Sequence, residues 1–458
     1  MNRHPLSRQS GFPCLVSLII MAAGLLLGGT AIAELDPIEQ LGSSIFFDND
    51  LSINRNQSCA ACHDPAWGFT GPDAASNAAG AVYEGSIAGR FGNRKPPSAA
   101  YASFSPVLYF VEEGPKGQGK RHGHMKKNKN KGGVLFIGGN FFDGRATGER
   151  LGTPVADQAQ GPFLNPVEQG LPDNACVVYR VCMASYPVTL EDVFGPEICD
   201  VTWPTDVATV CAAQGTRVTL SPDDRGTVDM AYDDIAIAIA SFEDSSQVNR
   251  FSSKYDAYLR GEVRLTKKER QGLALFRGKG RCDNCHVLDA GPSGEPPLLT
   301  NNRFDNLGVP KNPDNPWYTM PPALNPDGVN WIDKGLGGFL ATRLDYQQYA
   351  SENYGKQRVP TLRNVAARPT PGSVKAYTHN GYFKSLKAVV HFYNTRDVKP
   401  ACPDPFTREA DALAANCWPA PEVGVNVNAA ELGNLHMKGR QEDAIVAFLA
   451  TLSDGFTP

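Results

Sequence analysis

Two stretches of the sequence share the pattern Cys-x-x-Cys-His: Cys59-Ala-Ala-Cys62-His63 and Cys282-Asp-Asn-Cys285-His286. This pattern is the attachment signal for c-type haem: its two thiols bond to one haem and the adjacent histidine binds the iron. A redox-active dithiol does not need the histidine, and a zinc site needs two more ligands at a matching spacing, which are not found nearby. The sequence therefore predicts two covalently attached haems, with His63 and His286 as iron ligands.

Helical segments flank both motifs. Residues 265–276 precede the second motif and begin with Thr266 as N-cap and Glu269 closing a capping box, while residues 41–47 precede the first motif. Near the C-terminus, residues 442–452 carry apolar side chains at helical spacing. A helix that leads into the haem motif and a late helix that packs across it are the parts that a cytochrome c domain needs.

The stretches between these helices are rich in Gly, Pro and Asn, although residues 233–242 are predicted to form one more helix. Long loops of this kind have to wrap the haems, whose contacts replace part of the apolar core that loops lack. The sequence therefore predicts a mainly α fold of two cytochrome c-like haem domains with long loops. We expect these domains to cover residues 34–255 and 256–458.

The N-terminus has the pattern of a secretory signal peptide. Arg3 and Arg8 precede an apolar run over residues 14–27, which is short for a membrane span, and Ala31-Ile32-Ala33 is a small-x-small cleavage pattern. An uncleaved anchor is the alternative. We expect cleavage after Ala33 and a periplasmic protein with no stable membrane span.

The chain after Ala33 has 48 acidic and 42 basic residues, a formal charge of −6, and this mild acidity argues against nucleic acid as a partner. Six of its ten cysteines lie outside the haem motifs, and cysteines of exported proteins usually form disulfides. Six cysteines allow 15 pairings. The pairing with the shortest loops joins Cys176 to Cys182, Cys199 to Cys211 and Cys402 to Cys417.

One segment, residues 120–131, carries six basic residues and two histidines among glycines and asparagines. Like charges repel and oppose packing, so this composition favours a solvated loop. Two alternatives remain open. The segment is a docking patch for an acidic partner, or its His122 or His124 caps a haem iron.

The two haem motifs and the segments between and after them resemble the bacterial diheme cytochrome c peroxidase family, which includes the MauG-type enzymes. The resemblance covers nearly all of the chain after the signal peptide. It implies a mostly helical fold with one haem per domain and a calcium ion between the domains. The matching stretches are residues 41–47, 141–146, 158–162, 165–168, 359–364, 379–381 and 447–452.

In this family the N-terminal haem is the peroxide site, and the resemblance implies the same role for the His63 haem. Many members cap its open iron position with a loop histidine, but no histidine lies between His63 and His122 in this sequence. We therefore expect a five-coordinate iron that is ready for peroxide. The family's distal glutamine and glutamate correspond to Asn140 and Asp157 as catalytic residues, with Glu149 as the alternative to Asp157 because of a nearby insertion.

The second ligand of the C-terminal haem is a methionine in many family members, fourteen residues after the histidine of a His-x-Gly motif. Counting fourteen residues from His379 leads to Tyr393. A tyrosinate ligand favours ferric and more oxidised iron, whereas methionine raises the reduction potential. Met437 is the alternative ligand, and an ordinary packed aromatic is the alternative role for Tyr393.

Three further positions follow from the resemblance. Arg145 and Arg363 are expected to pair with haem propionates, because guanidinium groups bind carboxylates well. The tryptophan that the family places between the haems corresponds to Ala100, next to Tyr101. Electron transfer through Tyr101 or another aromatic side chain is therefore expected.

These features predict a periplasmic diheme c-type peroxidase that reduces hydrogen peroxide at the N-terminal haem with electrons passed through the C-terminal haem. The electron donor would be a small c-type cytochrome or cupredoxin. One alternative is a MauG-type enzyme that uses peroxide-derived high-valent haems to oxidise a residue of a partner protein. A diheme electron carrier without catalysis is the second alternative.

Overall fold

Helices dominate the secondary structure of residues 34–112, 134–291 and 293–458, which a computed structural model describes. The predicted mainly α fold is confirmed. The helices in this part of the chain are α1 (Pro37–Phe47), α2 (Ala74–Ala78), α3 (Pro154–Leu164), α4 (Asn174–Cys182), α5 (Leu190–Phe194), α6 (Val207–Val210), α7 (Pro222–Asp244), α8 (Lys254–Leu259), α9 (Lys267–Arg277), α10 (Gly335–Leu340), α11 (Leu386–Thr395), α12 (Glu409–Ala414) and α13 (Gly439–Leu449).

The β-structure of the described residues is limited to two short antiparallel pairs. β1 (Tyr109–Glu112) pairs with β2 (Val134–Ile137), with Tyr109 opposite Ile137, and β3 (Phe304–Asp305) pairs with β4 (Gln357–Arg358). The predicted basic loop at residues 120–131, with His122 and His124, lies outside the described residues, as does the predicted signal peptide. No helix of the described ranges is both long and apolar enough to cross a membrane.

Two helix crossings of the same kind organise the two parts of the chain. α1 crosses α7 so closely that a Cβ added to Gly42 would overlap the carbonyl group of Ala238. α9 crosses α13 in the same way, and a Cβ added to Gly272 would overlap the carbonyl group of Ala444. Glycine is needed at both crossings because any side chain would push the helices apart. The first haem motif follows α1 and the second follows α9, and residues of each motif pack against the hydrophobic cluster of the corresponding crossing.

The predicted helices beside the second motif are confirmed by the structure. α9 begins after Thr266, whose side chain accepts a hydrogen bond from the backbone N–H of Glu269, while the Glu269 carboxylate accepts one from the backbone N–H of Thr266. The C-terminal helix is α13, and the helix predicted between the haem motifs is α7, which is longer than the predicted residues 233–242.

Two of the buried hydrophobic clusters correspond to these crossings. The first contains side chains of α1, α3, α4 and α7, together with Leu298 from the later part of the chain. The second contains side chains of α9, α11 and α13. Residues Glu34–Pro458 form one compact unit, and the predicted domain boundary between residues 255 and 256 stays a prediction.

Three disulfides are present in the described part of the chain, and two of the three expected pairings are wrong. Cys176 and Cys182 both lie on α4, where six residues span about 9 Å along the axis, too far for a disulfide. Each therefore pairs with a different cysteine of the following loop, and the bonds attach α4 to that loop. The bonds join Cys176 to Cys211, Cys182 to Cys199 and, as expected, Cys402 to Cys417.

A buried carboxylate joins α11 to α13. Glu442 is 2% exposed and accepts hydrogen bonds from His391 (2.9 Å) and Asn394 (2.6 Å) on α11. Lys387 lies 2.9 Å from its second oxygen. Burial opposes the charge of Glu442, but hydrogen bonds from His391, Lys387 and Asn394 outweigh it and lower the pKa of this carboxyl to about 2. α11 also carries Tyr393, so this carboxylate fixes the helix that positions a candidate iron ligand.

We predict that Glu442→Gln lowers the free energy of unfolding by about 1–3 kcal/mol at neutral pH, because a buried charged hydrogen-bond network loses its anion. The folded pKa is depressed, so the wild-type contribution is present above pH 4.5 and is lost as the pH falls toward 2. Thermal unfolding of the holoprotein at several pH values measures this. Glu262→Gln, at an exposed pair with Arg260, is the control and should change little. If Glu442→Gln lost stability between pH 4.5 and 2 in the same way as wild type, the low-pKa group would not be Glu442.

Candidate haem sites

His63 is held in place by its own motif. Cys59–Ala61 form a single 3-10 turn, and the backbone N–H of His63 donates to the carbonyl of Cys59 at 3.0 Å. The Nδ1 atom lies 3.1 Å from the carbonyl oxygen of Phe69. Burial lowers the pKa of His63 to about 4, so the imidazole is neutral. A neutral ring that donates from Nδ1 leaves the Nε2 lone pair for a metal.

His286 repeats this arrangement in the second motif. Cys282–Asn284 form the equivalent 3-10 turn, and the N–H of His286 donates to the carbonyl of Cys282 at 2.8 Å. Its Nδ1 atom lies 2.9 Å from the carbonyl oxygen of Leu299, and burial lowers the pKa of His286 to about 4. Two unrelated stretches of backbone thus orient the two imidazoles in the same way.

The cysteines divide as the sequence predicts. The motif cysteines are all free thiols, whereas the other six in the described residues form disulfides. Burial raises the pKa of the Cys62 and Cys282 thiols to about 12. Protonated thiols held as pairs beside a histidine are the groups that add to haem vinyl groups.

Each motif opens into a large cavity. The N-terminal cavity contains Cys59, Cys62 and His63 and has ≈ 1920 Å³ of space free of protein atoms, part of it open to solvent. The C-terminal cavity contains Cys282, Cys285 and His286 and has ≈ 1440 Å³.

The side chains that line these cavities fit a haem. The Nε atom of Arg358 and the Nε1 atom of Trp317 line the N-terminal cavity, are buried and have no hydrogen-bond partner among the described residues. A buried donor without a partner is costly, and a haem carboxylate is the kind of acceptor that satisfies it. Arg358, Phe142 and Pro360 line both cavities, so the two sites adjoin.

The predicted distal residues separate in the structure. Asn140 is 5% exposed and lines the N-terminal cavity. Asp157 is not among the lining residues, because its carboxylate accepts hydrogen bonds from the backbone of Gly148 and Leu151 at 2.7 and 3.0 Å. Its alternative, Glu149, pairs with Arg343 at 2.9 Å and also lies outside the cavity. The carboxylate of Asp157 is therefore bound by the backbone of its own loop, and that of Glu149 by an arginine from a distant part of the chain.

Two carboxyl groups that sequence reasoning missed do line the N-terminal cavity: Glu168 and Glu243. Burial raises the pKa of Glu243 to about 8 and also raises the pKa of Glu168, which Arg145 opposes. Glu168 lies in the stretch 165–168 that matches the family, so the resemblance could have identified it as a site residue. Glu243 sits on the buried face of α7, and no pattern in the sequence marks it.

The structure distinguishes the two candidate ligands of the second iron. Tyr393 lines the same cavity as His286, and its hydroxyl makes no hydrogen bond to any described residue. Burial raises the pKa of Tyr393, so an added positive centre is needed to stabilise its phenolate. Met437 does not line the cavity; it is 8% exposed and packs in the hydrophobic cluster of α9 and α13.

The two predicted propionate partners also differ. Arg145 lines the N-terminal cavity, with its guanidinium 3.7 Å from the ring centre of Phe141 and its NH1 atom 2.9 Å from Asp143. Arg363 lines neither cavity, because its guanidinium donates to the buried carboxylate of Asp256 at 2.9 and 3.1 Å. This geometry does not support the expected propionate role of Arg363.

Tyr101, the aromatic residue expected between the haems, lines neither cavity. It is 3% exposed, its hydroxyl donates to Asp454 at 2.8 Å, and its ring faces the Arg363 guanidinium at 4.9 Å. Phe142 is the aromatic side chain that lines both cavities. His63 is the single histidine of the N-terminal cavity within the described residues.

A buried ion network joins the two cavities. Arg94 donates to Asp143 at 2.7 Å and to Asp333 at 2.6 Å. Asp333 and His379 line the C-terminal cavity, where the Nε2 atom of His379 is 3.4 Å from Glu422. Arg94 and Asp143 line the N-terminal cavity. The guanidinium of Arg94 thus lies between two carboxylates, Asp143 in the lining of the N-terminal cavity and Asp333 in that of the C-terminal cavity.

Comparison with known proteins identifies the family of the chain. The sequence model of the family described as di-haem cytochrome c peroxidase matches residues 37–264. The methylamine utilization protein MauG of Paracoccus denitrificans is 30% identical over 443 residues, which cover 96% of this chain and 95% of that protein. The cytochrome c551 peroxidase of Pseudomonas aeruginosa is 25% identical over 382 residues, covering 82% and 77%. The chain belongs to the di-haem cytochrome c peroxidase family and is an oxidoreductase.

Solved structures extend the likeness to the fold. The diheme peroxidase BthA of Burkholderia thailandensis superposes with a TM-score of 0.63 and 28% identity, over 93% of this chain and 88% of that one. A BthA variant with a tyrosine replaced by methionine superposes with a TM-score of 0.65. A MauG-like protein associated with microbial copper homeostasis shares the fold, with a TM-score of 0.54 and 22% identity. Family membership implies two c-type haems.

We predict that the Cys59→Ala/Cys62→Ala double variant loses one covalent haem while wild type carries two, because each thiol pair attaches one haem. Intact mass of the denatured protein measures the number of haems per chain. The double variant Cys176→Ala/Cys211→Ala removes a disulfide and should keep both haems. A wild-type mass with a single haem would contradict the two-site assignment.

Proposed function

We propose that this protein is a MauG-type diheme oxidoreductase that reacts with hydrogen peroxide while both irons are ferric. The observation that carries the proposal is the position of Tyr393, which lines the His286 cavity with a hydroxyl free to bind iron. Haem bound at His63 supplies the peroxide-reducing iron, and haem bound at His286 supplies a second redox centre. Tyr393, as an anionic ligand, stabilises the oxidised state of that centre.

The N-terminal cavity supports the peroxide half of the reaction. Reduction of hydrogen peroxide to two water molecules takes up two electrons and two protons, and one proton has to reach the leaving oxygen. Glu168 is the group we assign to proton transfer there, because its pKa is raised by burial and it lines the cavity. Asn140, also in the lining, is a hydrogen-bond donor that orients peroxide. Asp157 has no part in this assignment, since its carboxylate is held by its own loop.

The two electrons come from a substrate outside the chain. In the MauG-type reading, the donor is a residue of a partner protein, which is oxidised by two electrons for each peroxide reduced. The relative MauG, similar over nearly the whole chain, favours this reading. The second candidate is a peroxidase fed by a small c-type cytochrome or cupredoxin, and the similarity to cytochrome c551 peroxidase favours it.

We also propose that the protein works in the periplasm. The signal-peptide pattern over residues 1–33 and three disulfides in the described chain support export to an oxidising compartment.

We predict that Tyr393→Met keeps both haems but slows the reaction of diferric enzyme with stoichiometric peroxide by about tenfold or more, an effect of ~1.4 kcal/mol on the barrier. The neutral thioether raises the reduction potential of the second haem, so that centre no longer shares the oxidation. Stopped-flow spectroscopy measures the rate and the shared oxidised spectrum.

Met437→Leu is the matched control, because a buried methionine outside the cavity tolerates leucine. Equal spectra and rates for Tyr393→Met and wild type would refute the ligand assignment. A wild-type enzyme that ignores peroxide until reduced, and then turns over with a cytochrome donor, would establish the second candidate function.

We predict that Glu168→Gln slows peroxide consumption by about 10²-fold, the lower range for loss of a general acid–base group. The amide keeps the shape of the side chain but cannot carry the proton. Initial rates of diferric enzyme against peroxide concentration measure the effect. Glu149→Gln, whose carboxylate pairs with Arg343 outside the cavity, should retain the wild-type rate. If Glu149→Gln were slow and Glu168→Gln had the wild-type rate, the proton transfer would be assigned to Glu149.

A further inference from the structure

Lys375 is a buried lysine with an unusual set of partners. The residue is 5% exposed, and its Nζ atom donates to the carbonyl oxygens of Trp67 (2.7 Å), Asn364 (2.9 Å) and Ala367 (3.0 Å). No carboxylate lies within ion-pair distance of it in the described ranges. The hydrogen-bond partners of its Nζ atom are therefore all backbone carbonyl oxygens.

The three carbonyl groups determine the charge of Lys375. An ammonium group has three N–H donors, whereas a neutral amine has two. Three carbonyl oxygens at 2.7–3.0 Å match the three donors of the protonated form. Burial, together with the charges of Lys95 and Arg368, lowers the pKa of Lys375, whereas the dipoles of the three carbonyl groups in contact with Nζ favour the ammonium form. The carbonyl groups of Trp67, Asn364 and Ala367 thus form a binding site for one positive charge, which we call the cradle.

The cradle joins two distant parts of the chain. Trp67 ends a 3-10 turn just after the first haem motif, while Asn364 ends the matched stretch at residues 359–364 and Ala367 follows it. A second buried lysine, Lys95, lies nearby and donates to the Thr70 hydroxyl and the Pro96 carbonyl, both at 2.8 Å. Positive charge is thus concentrated where the first haem segment meets the C-terminal part.

This arrangement disagrees with the calcium ion that the family resemblance implies between the domains. Calcium takes six to eight oxygen ligands, commonly including carboxylates. Here the converging carbonyls already accept from Lys375, and carboxylates are missing from the cradle. Within the described chain, the single cluster of three metal-binding side chains is Cys285, Asp305 and Glu431, and Cys285 belongs to a haem motif. The carbonyl groups around Lys375 therefore do not fit a calcium ion in addition to the ammonium group they already bind.

We propose that the ammonium group of Lys375 performs the structural role of an interdomain calcium ion, so that this enzyme is independent of calcium. The positive charge is covalently part of the chain and holds the backbone of Trp67 against that of Asn364 and Ala367. A chelator removes a bound metal ion but has no effect on this cation.

The first test uses wild-type holoenzyme. Metal analysis before and after treatment with a calcium chelator, together with thermal unfolding and the visible haem spectrum, measures calcium dependence. We expect calcium far below one ion per chain and no shift of the unfolding midpoint or spectrum. One calcium ion per chain, whose removal lowers the midpoint or alters the spectrum, would overturn the proposal, and this result does not depend on the folding of any variant.

The second test uses Lys375→Ala, which leaves the three carbonyl groups without a donor. We expect a lower unfolding midpoint that ethylammonium partly restores, whereas tetramethylammonium, which has no N–H group, does not. Lys254→Ala removes an ammonium that pairs with the carboxylate of Glu269 and should show no such rescue. If Lys375→Ala does not fold, Lys375→Met, which keeps the hydrocarbon chain, takes its place with wild type as reference. A wild-type midpoint in the replacement variant would overturn the proposal.

Discussion

The structure depends on two histidines that are fixed above spaces that protein atoms do not fill. His63 and His286 each donate from Nδ1 to a backbone carbonyl, and each faces a cavity that is partly open to solvent. The close crossings at Gly42 and Gly272 hold the packed helix pairs on which these two motifs rest.

The two cavities share walls and are linked by charge. Arg94, Asp143 and Asp333 connect them through buried ion pairs, and removing one partner of such a pair is strongly destabilising. Phe142 and Arg358 belong to both linings. A change in charge at one haem consequently alters the electrostatic potential at side chains that also line the other cavity. This supports an enzyme in which two irons act as one redox unit.

Sequence reasoning was most successful where the chemistry needs fixed local spacing. The Cys-x-x-Cys-His motifs and the capping box at Thr266 depend on residues close together in the chain. The ligand role of Tyr393 stays a prediction, and its side chain lines the cavity of His286. Sequence reasoning was wrong for two disulfides, since loop length ignores that Cys176 and Cys182 share one helix. The role of Asp157 also stays a prediction, although its carboxylate is bound by the backbone of its own loop, and the partners of Lys375 are backbone carbonyls, which any residue provides.

The division of the cysteines has a consequence for biogenesis. Four thiols have to stay reduced until haem is attached, whereas six others have to be oxidised, two pairs of them in a nested arrangement in which Cys182–Cys199 lies inside the loop closed by Cys176–Cys211. A bond between Cys59 and Cys62 would block haem attachment as surely as their removal. Maturation therefore needs a thiol reductant and a thiol oxidant acting on the same chain, and a host that supplies one of them alone yields a protein that is either without haem or wrongly cross-linked.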